Sequence, residues 1–195
     1  MSTREWMDAG TILFLEQLDH LSDSDLDGPS ALPGWSRRQL VAHLHFNACA
    51  LIRLASWADT GIENRMYSSS DQRVAEIDEG RHWDPVRLRA SVVNSASDLA
   101  RALDGLSDQA WVAPVVTAQG RTVPATEIPW MRAREVMVHA LDLGTGLSFA
   151  DLPGDFVATL LADVVRKRAA AGEGAELAAW LTGRAQRAPS VGPWL

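Results

Sequence analysis

The sequence predicts an all-α protein, a four-helix bundle with a short extended segment and a C-terminal tail. Amphipathic stretches of helical length recur along the 195-residue chain, and glycine, proline or a capping residue bounds each of them. Residues 112–123 are the one stretch whose pattern favours extended backbone. With 47% hydrophobic and 22% charged residues, the composition is typical of a folded domain. We therefore expect four or five long helices to share one core.

The first two helices have recognisable start and stop signals. Residues 5–21 carry apolar side chains at helical spacing and end before the polar run at 22–25. Ser36 followed by Gln39 has the spacing of a capping box, which predicts the start of the second helix. That helix runs to about residue 59, and Gly61 is placed to end it.

The remaining elements follow from proline and glycine positions. Residues 66–80 read as a loop and a short helix, and Asp84-Pro85 is an N-cap followed by a first-turn proline that opens a third long helix. Gln119-Gly120 predicts a hairpin or an extended arm. Pro129 opens a helix that Gly144 ends, and another helix follows to about residue 171.

Composition argues against several classes of function. The net charge is −7 with no basic block, so we expect no nucleic-acid partner. Cys49 is the single cysteine, which excludes an internal disulfide and makes a reducing compartment the default. The most apolar stretch, Phe156 to Val165, is too short to span a bilayer and contains Asp163. We therefore expect a cytoplasmic monomer or homodimer that acts on a small-molecule substrate.

Two distant segments carry side chains suited to one metal ion. Glu135 and His139 are four residues apart on a predicted helix, so they share one face. His43 lies on another predicted helix and is the best third ligand, and three ligands leave coordination positions open for chemistry. The alternative for His43 is a partly buried histidine bonded to backbone or solvent, and the alternative for Glu135 and His139 is an ordinary polar pair on an exposed face. Asp142 is either an acceptor that orients an imidazole or a residue near a helix end.

The segments around these residues resemble the mycothiol-dependent maleylpyruvate isomerases, whose fold is shared with the DinB-like proteins. The resemblance covers roughly residues 5–170. Its motifs are Leu32-Pro33-Gly34-Trp35-Ser36, Val41-Ala42-His43-Leu44 with Asn47, the segment from Arg134 to Gly144, Ser148 to Pro153, Ala179 to Arg184, and Pro193-Trp194-Leu195.

The resemblance implies a site, a cosubstrate and a second domain. A divalent metal, with zinc as first choice, would be held by His43, Glu135 and His139, and mycothiol would be the thiol cosubstrate. Asn47 matches a family asparagine and is a candidate cofactor contact or a simple helix-surface residue. Arg184, with Arg187 as runner-up, matches the family's active-site arginine. Residues 1–171 would form the bundle, and 172–195 a tail that is a remnant of the family's second α/β domain.

Trp130 and Cys49 each have a functional and a structural interpretation. Trp130 precedes the helix of Glu135 and His139, so it lines a cofactor pocket or anchors the core. Cys49 is a nucleophile or a small buried apolar group, and nothing near it in sequence lowers its pKa.

Three functions fit the sequence. The first is a maleylpyruvate isomerase, in which a metal-activated thiol adds to an unsaturated carboxylic acid, the adduct rotates, and the thiol leaves. The second is a mycothiol S-transferase, in which addition to another electrophile ends the reaction. The third is a metal-stabilised binding module without catalysis.

Overall fold

The computed structural model describes residues 1–192, apart from the side chain of Ser70, and these residues form two compact units that divide after Ser148. The first unit contains six helices: α1 (Thr3–Asp19), α2 (Arg37–Thr60), α3 (Ser70–Gly80), α4 (Pro85–Asp104), the single turn α5 (Asp108–Trp111) and α6 (Ile128–Asp142). It also contains the strands β1 (Pro114–Val116) and β2 (Thr122–Pro124). The second unit contains α7 (Gly154–Ala170) and α8 (Gly174–Leu181).

The four long helices of the first unit form the predicted bundle. Helix α1 packs along α6, α2 packs along α4, and α2 also contacts α6. Their apolar faces meet in one core, which includes Phe14, Leu18, Leu40, Leu44, Leu88, Val92, Val136 and Leu143. The predicted all-α four-helix fold is confirmed.

The start and end of α2 and the start of α4 lie where the capping, glycine and proline signals of the sequence predict them. The Ser36 side chain accepts from the backbone N–H of Gln39, and the Gln39 side chain accepts from the backbone of Ser36, so the predicted capping box is present. Gly61 adopts φ 70° just after α2, a left-handed conformation that glycine reaches without steric cost. The Asp84 carboxylate caps α4, with Pro85 in the first turn.

Two glycines allow helices to approach closely. A Cβ on Gly10 of α1 would lie 2.6 Å from Val136 Cγ2 and 2.8 Å from Met137 Cγ on α6. A Cβ on Gly80 of α3 would lie 2.7 Å from the Cβ of Ala42 on α2. These contacts hold α1 against α6 and α3 against α2, the two helices that carry the predicted ligands.

The predicted extended segment is a short antiparallel hairpin. Val115 pairs with Val123, and both side chains are buried, while Gly120 takes φ 78° in the turn. The single turn α5 was not predicted, because Ser107 caps a segment too short to show helical periodicity.

In the second unit, α7 packs against α8 across a turn in which Gly172 has φ 91°. The predicted division after residue 171 stays a prediction. The last predicted tail residues, Pro193, Trp194 and Leu195, lie outside the described residues. Over residues 1–192, none of the helices combines the length and apolarity needed to cross a membrane.

Candidate metal centre

The three predicted ligands come together where α2 meets α6. His43 lies on α2, and Glu135 and His139 lie one turn apart on α6. His43 Nε2 is 2.9 Å from Glu135 Oε2, and His139 Nε2 is 3.3 Å from the same oxygen. One donor atom from each residue lies within 4.8 Å of the others, a spacing that a single cation can bridge.

The cluster is largely buried, and each of its three side chains keeps a small exposed fraction. The exposed fractions of the side chains are 6% for His43, 13% for Glu135 and 10% for His139. Burial lowers the pKa of His43. Burial acts to raise the pKa of Glu135, but hydrogen bonds from His139 and His43 hold it well below its usual range.

Asp142 orients His139 from the side opposite Glu135. Its carboxylate Oδ2 lies 2.7 Å from His139 Nδ1. Burial opposes a charge on His139, but hydrogen bonds to Asp142 and Glu135 outweigh it and raise the pKa of His139 to about 9. Of the two interpretations of Asp142, the contact favours the orienting acceptor.

Arg132 and Asn47 join the same two helices beside the cluster. Arg132 Nη1 donates to the Leu44 carbonyl and to Asn47 Oδ1, both at 2.8 Å. Burial lowers the pKa of Arg132 to about 10, so it keeps its charge at neutral pH, and the Glu135 carboxylate favours that charge. The Asn47 carbonyl therefore links α2 to α6, and its role towards a cofactor stays a prediction.

Sequence reasoning missed Arg73 and Tyr67. Arg73 Nη2 on α3 lies 3.5 Å from His43 Nδ1. Burial raises the pKa of Tyr67 to about 12, and the charges of Arg73 and Glu135 both act on its phenol. The available signal was helical spacing: Arg73 stands four residues before Ile77 and seven before Gly80, on the buried stripe of α3.

The other predicted residues are placed as follows. Trp130 is 9% exposed, its ring centroid lies 5.8 Å from that of Trp6, and Arg134 lies over its face. This packing fits the core-anchor interpretation, and its cofactor role stays a prediction. Arg184 and Arg187 are exposed residues of the second unit. The active-site role predicted for one of them likewise stays a prediction.

The surroundings of Cys49 favour the structural interpretation over the nucleophile. Its Sγ lies 3.8 Å from His45 Nε2, while His45 Nδ1 lies 3.0 Å from the Ser91 carbonyl oxygen. Burial raises the pKa of the Cys49 thiol and opposes thiolate formation at neutral pH.

A four-helix bundle with two imidazoles and a carboxylate facing one point defines the class: a helical bundle with a candidate metal centre. A family model described as the mycothiol maleylpyruvate isomerase N-terminal domain matches residues 8–144, and the chain belongs to this family.

Solved structures support the same assignment. The crystal structure of the mycothiol-dependent maleylpyruvate isomerase matches with 40% identity and a TM-score of 0.86, over 88% of this chain and 72% of that one. A mutant of that enzyme matches with 40% identity and a TM-score of 0.82, over 84% and 68% of the two chains.

A more distant structure shares the fold alone. YfiT from Bacillus subtilis, described as a probable metal-dependent hydrolase with an unusual four-helix bundle topology, matches with 18% identity and a TM-score of 0.55. The match covers 73% of this chain and 85% of that one. A search of curated proteins gave no match.

Proposed function

We propose that the protein is a mycothiol-dependent metalloenzyme of the maleylpyruvate isomerase type. The observation that carries the proposal is the convergence of His43, Glu135 and His139 in a chain 40% identical to that isomerase. The substrate is an unsaturated carboxylic acid, and the reaction is a cis-trans isomerisation by reversible thiol addition.

The chemistry of the donor set supports a cation at this point. If His139 is neutral and donates Nδ1–H to Asp142, its Nε2 lone pair faces the Glu135 carboxylate at 3.3 Å. Two electron-rich atoms in a buried site repel each other unless a proton or a cation lies between them. His43, Glu135 and His139 would hold that cation, and zinc is the first choice because it accepts imidazole and carboxylate ligands.

The cation would activate the thiol, and the side chains of the protein would orient the ligands and bind the substrate. A bound divalent cation at an open site lowers the pKa of a thiol, so that thiolate is available at neutral pH. Asp142 fixes the orientation of His139, and Arg132 fixes the spacing of α2 and α6 through Leu44 and Asn47. In the role that the resemblance implies for it, Arg184 would pair with a carboxylate of the substrate.

The reaction consumes no thiol. The thiolate sulfur forms a bond to a carbon of the cis double bond, and the π electrons move to the conjugated carbonyl as an enolate. The former double bond is now single and rotates. The enolate electrons then reform the double bond, the carbon–sulfur bond breaks, and the thiolate leaves the trans product.

Turnover of maleylpyruvate by the metal-loaded protein tests the proposal. Conversion to the trans isomer should require mycothiol and should fall on the order of 100-fold or more in Glu135→Gln, because a metal contributes several kcal/mol. The control is His82→Ala, which removes an exposed histidine outside the cluster. A stable thiol adduct would instead indicate an S-transferase, and absence of both reactions would indicate a binding module.

A further inference from the structure

Arg73 is the arginine of α3, and its guanidinium group lies beside the candidate metal centre. Its Nη2 is 3.5 Å from His43 Nδ1, and the side chain is only partly buried. The first unit alone positions it, since α3 and the three candidate ligands all lie within residues 1–148.

Helix α3 is held firmly against α2. Gly80 packs on Ala42 with no room for a Cβ, and Arg53 Nη2 of α2 lies 3.0 Å from Glu76 Oε1 of α3. Arg73 lies one turn before Glu76 and Ile77, so the packing of these residues fixes its backbone. A long side chain on a fixed backbone is suited to bind a ligand at a defined place.

Arg73 has no acidic partner among the described residues, because no carboxylate oxygen lies within 4 Å of its nitrogens. The neighbouring Arg53 differs, since Glu76 pairs with it. An arginine that borders a buried polar cluster without a counter-ion favours an anionic ligand.

The net charge around the candidate metal centre also favours an anionic ligand. The carboxylates of Glu135 and Asp142 balance the guanidinium groups of Arg73 and Arg132. A divalent cation would therefore leave a net charge of about +2, which attracts an anion.

The contact between Arg73 and His43 depends on which nitrogen of His43 is protonated. With Nε2–H donating to Glu135, Nδ1 accepts from Arg73. A cation on Nε2 would leave the proton on Nδ1, and two donors would then face each other. Arg73 would lose this acceptor and keep its guanidinium for a ligand.

We propose that Arg73 binds a carboxylate of the substrate, so that the bundle itself supplies an anion-binding residue of the site. The inference rests on the proposed function for its substrate class, an unsaturated carboxylic acid. Arg73 would form a charge-assisted, bidentate contact with that carboxylate on the α3 side of the centre.

Calorimetric titration of the metal-loaded protein with maleate tests this role without turnover. The wild-type protein should bind, and Arg73→Gln should raise the Kd about 10- to 100-fold, with Arg73→Lys between them because it loses the planar fork. The control is Arg65→Gln, an exposed arginine that pairs with Glu63. Metal content should stay at the wild-type level in all three variants.

Equal maleate affinity in wild type, Arg73→Gln and Arg73→Lys would overturn the proposal, as would a wild-type protein that does not bind maleate. Loss of metal in Arg73→Gln and Arg73→Lys would also overturn it, because Arg73 would then support the ligands rather than the substrate. If the wild type binds maleate through Arg73 but does not isomerise maleylpyruvate, only the proposed function fails.

Discussion

At the residue scale, Asp142 holds the imidazole of His139 at 2.7 Å on the side away from Glu135. Asp142→Asn removes the carboxylate charge and keeps the size of the side chain. We expect about a 10- to 100-fold loss of metal affinity, because a partner that orients a ligand contributes that much. Competition with a chromophoric chelator measures this affinity. An unchanged affinity would contradict the orienting role.

The raised pKa of His139 predicts a pH dependence of the metal-free protein. Because its pKa in the folded protein, about 9, exceeds the ordinary histidine pKa of about 6.5, the proton stabilises the folded state below about pH 6.5. That stabilisation is lost as the pH rises to about 9. The free energy of unfolding should therefore fall by about 1–3 kcal/mol across this window.

Urea denaturation after chelator treatment, at several pH values, measures this fall. In His139→Gln the slope between pH 6.5 and 9 should disappear. His43 does not account for the slope, because its lowered pKa places its titration below this window. A variant that keeps the wild-type slope would refute the assignment to His139.

The Cys49 thiol should react slowly in the folded protein. Burial raises its pKa, so the thiolate fraction at pH 7 is smaller than that of a free cysteine. We expect modification by a disulfide reagent to be at least about 10-fold slower than in urea, and Cys49→Ser to retain activity. Rapid modification coupled to loss of activity would restore the nucleophile interpretation.

At the element scale, Gly80 sets the distance between α3 and α2. Helix propensity alone would make Gly80→Ala stabilising by about 1 kcal/mol. The new Cβ would however lie 2.7 Å from Ala42 and 3.0 Å from Phe46, so we expect a loss of about 1–3 kcal/mol. Chemical denaturation measures this loss.

The matched control is Gly154→Ala, whose Cβ would meet nothing within 4 Å. It should be neutral or slightly stabilising. Gly80→Ala with wild-type stability would show that α3 is free to move away from α2, and the fixed placement of Arg73 would then be lost.

The helix boundaries were predictable where a local signal sets them. Each of these signals depends only on residues close together in the sequence, so the local sequence is sufficient to predict the helix end. They are the capping box at Ser36, the left-handed Gly61 and the Asp84-Pro85 start. The single turn α5 was not predictable, because four residues carry no periodic pattern.

The candidate site was predictable only in part. Glu135 and His139 share a helix face by spacing. His43 was the best third ligand on a second predicted helix, and the resemblance implied the same residue. Arg73 could not be assigned from spacing alone, because its relation to His43 depends on how α3 packs on α2. The link between Arg132 and Asn47 is likewise a contact between distant segments.

At the scale of the whole molecule, the bundle brings one histidine from α2 and two candidate ligands from α6 to one buried point. Packing of α1 on α6 and of α3 on α2 holds these helices in place through Gly10 and Gly80. The central claim is that this point binds one divalent cation.

Metal analysis of protein equilibrated with zinc and then desalted tests that claim most directly. We expect one zinc per chain in the wild type and in the His82→Ala control, and almost none in Glu135→Gln or His43→Ala, each of which removes one of the three candidate ligands. One zinc per chain in Glu135→Gln and His43→Ala, or none in the wild type, would contradict the account.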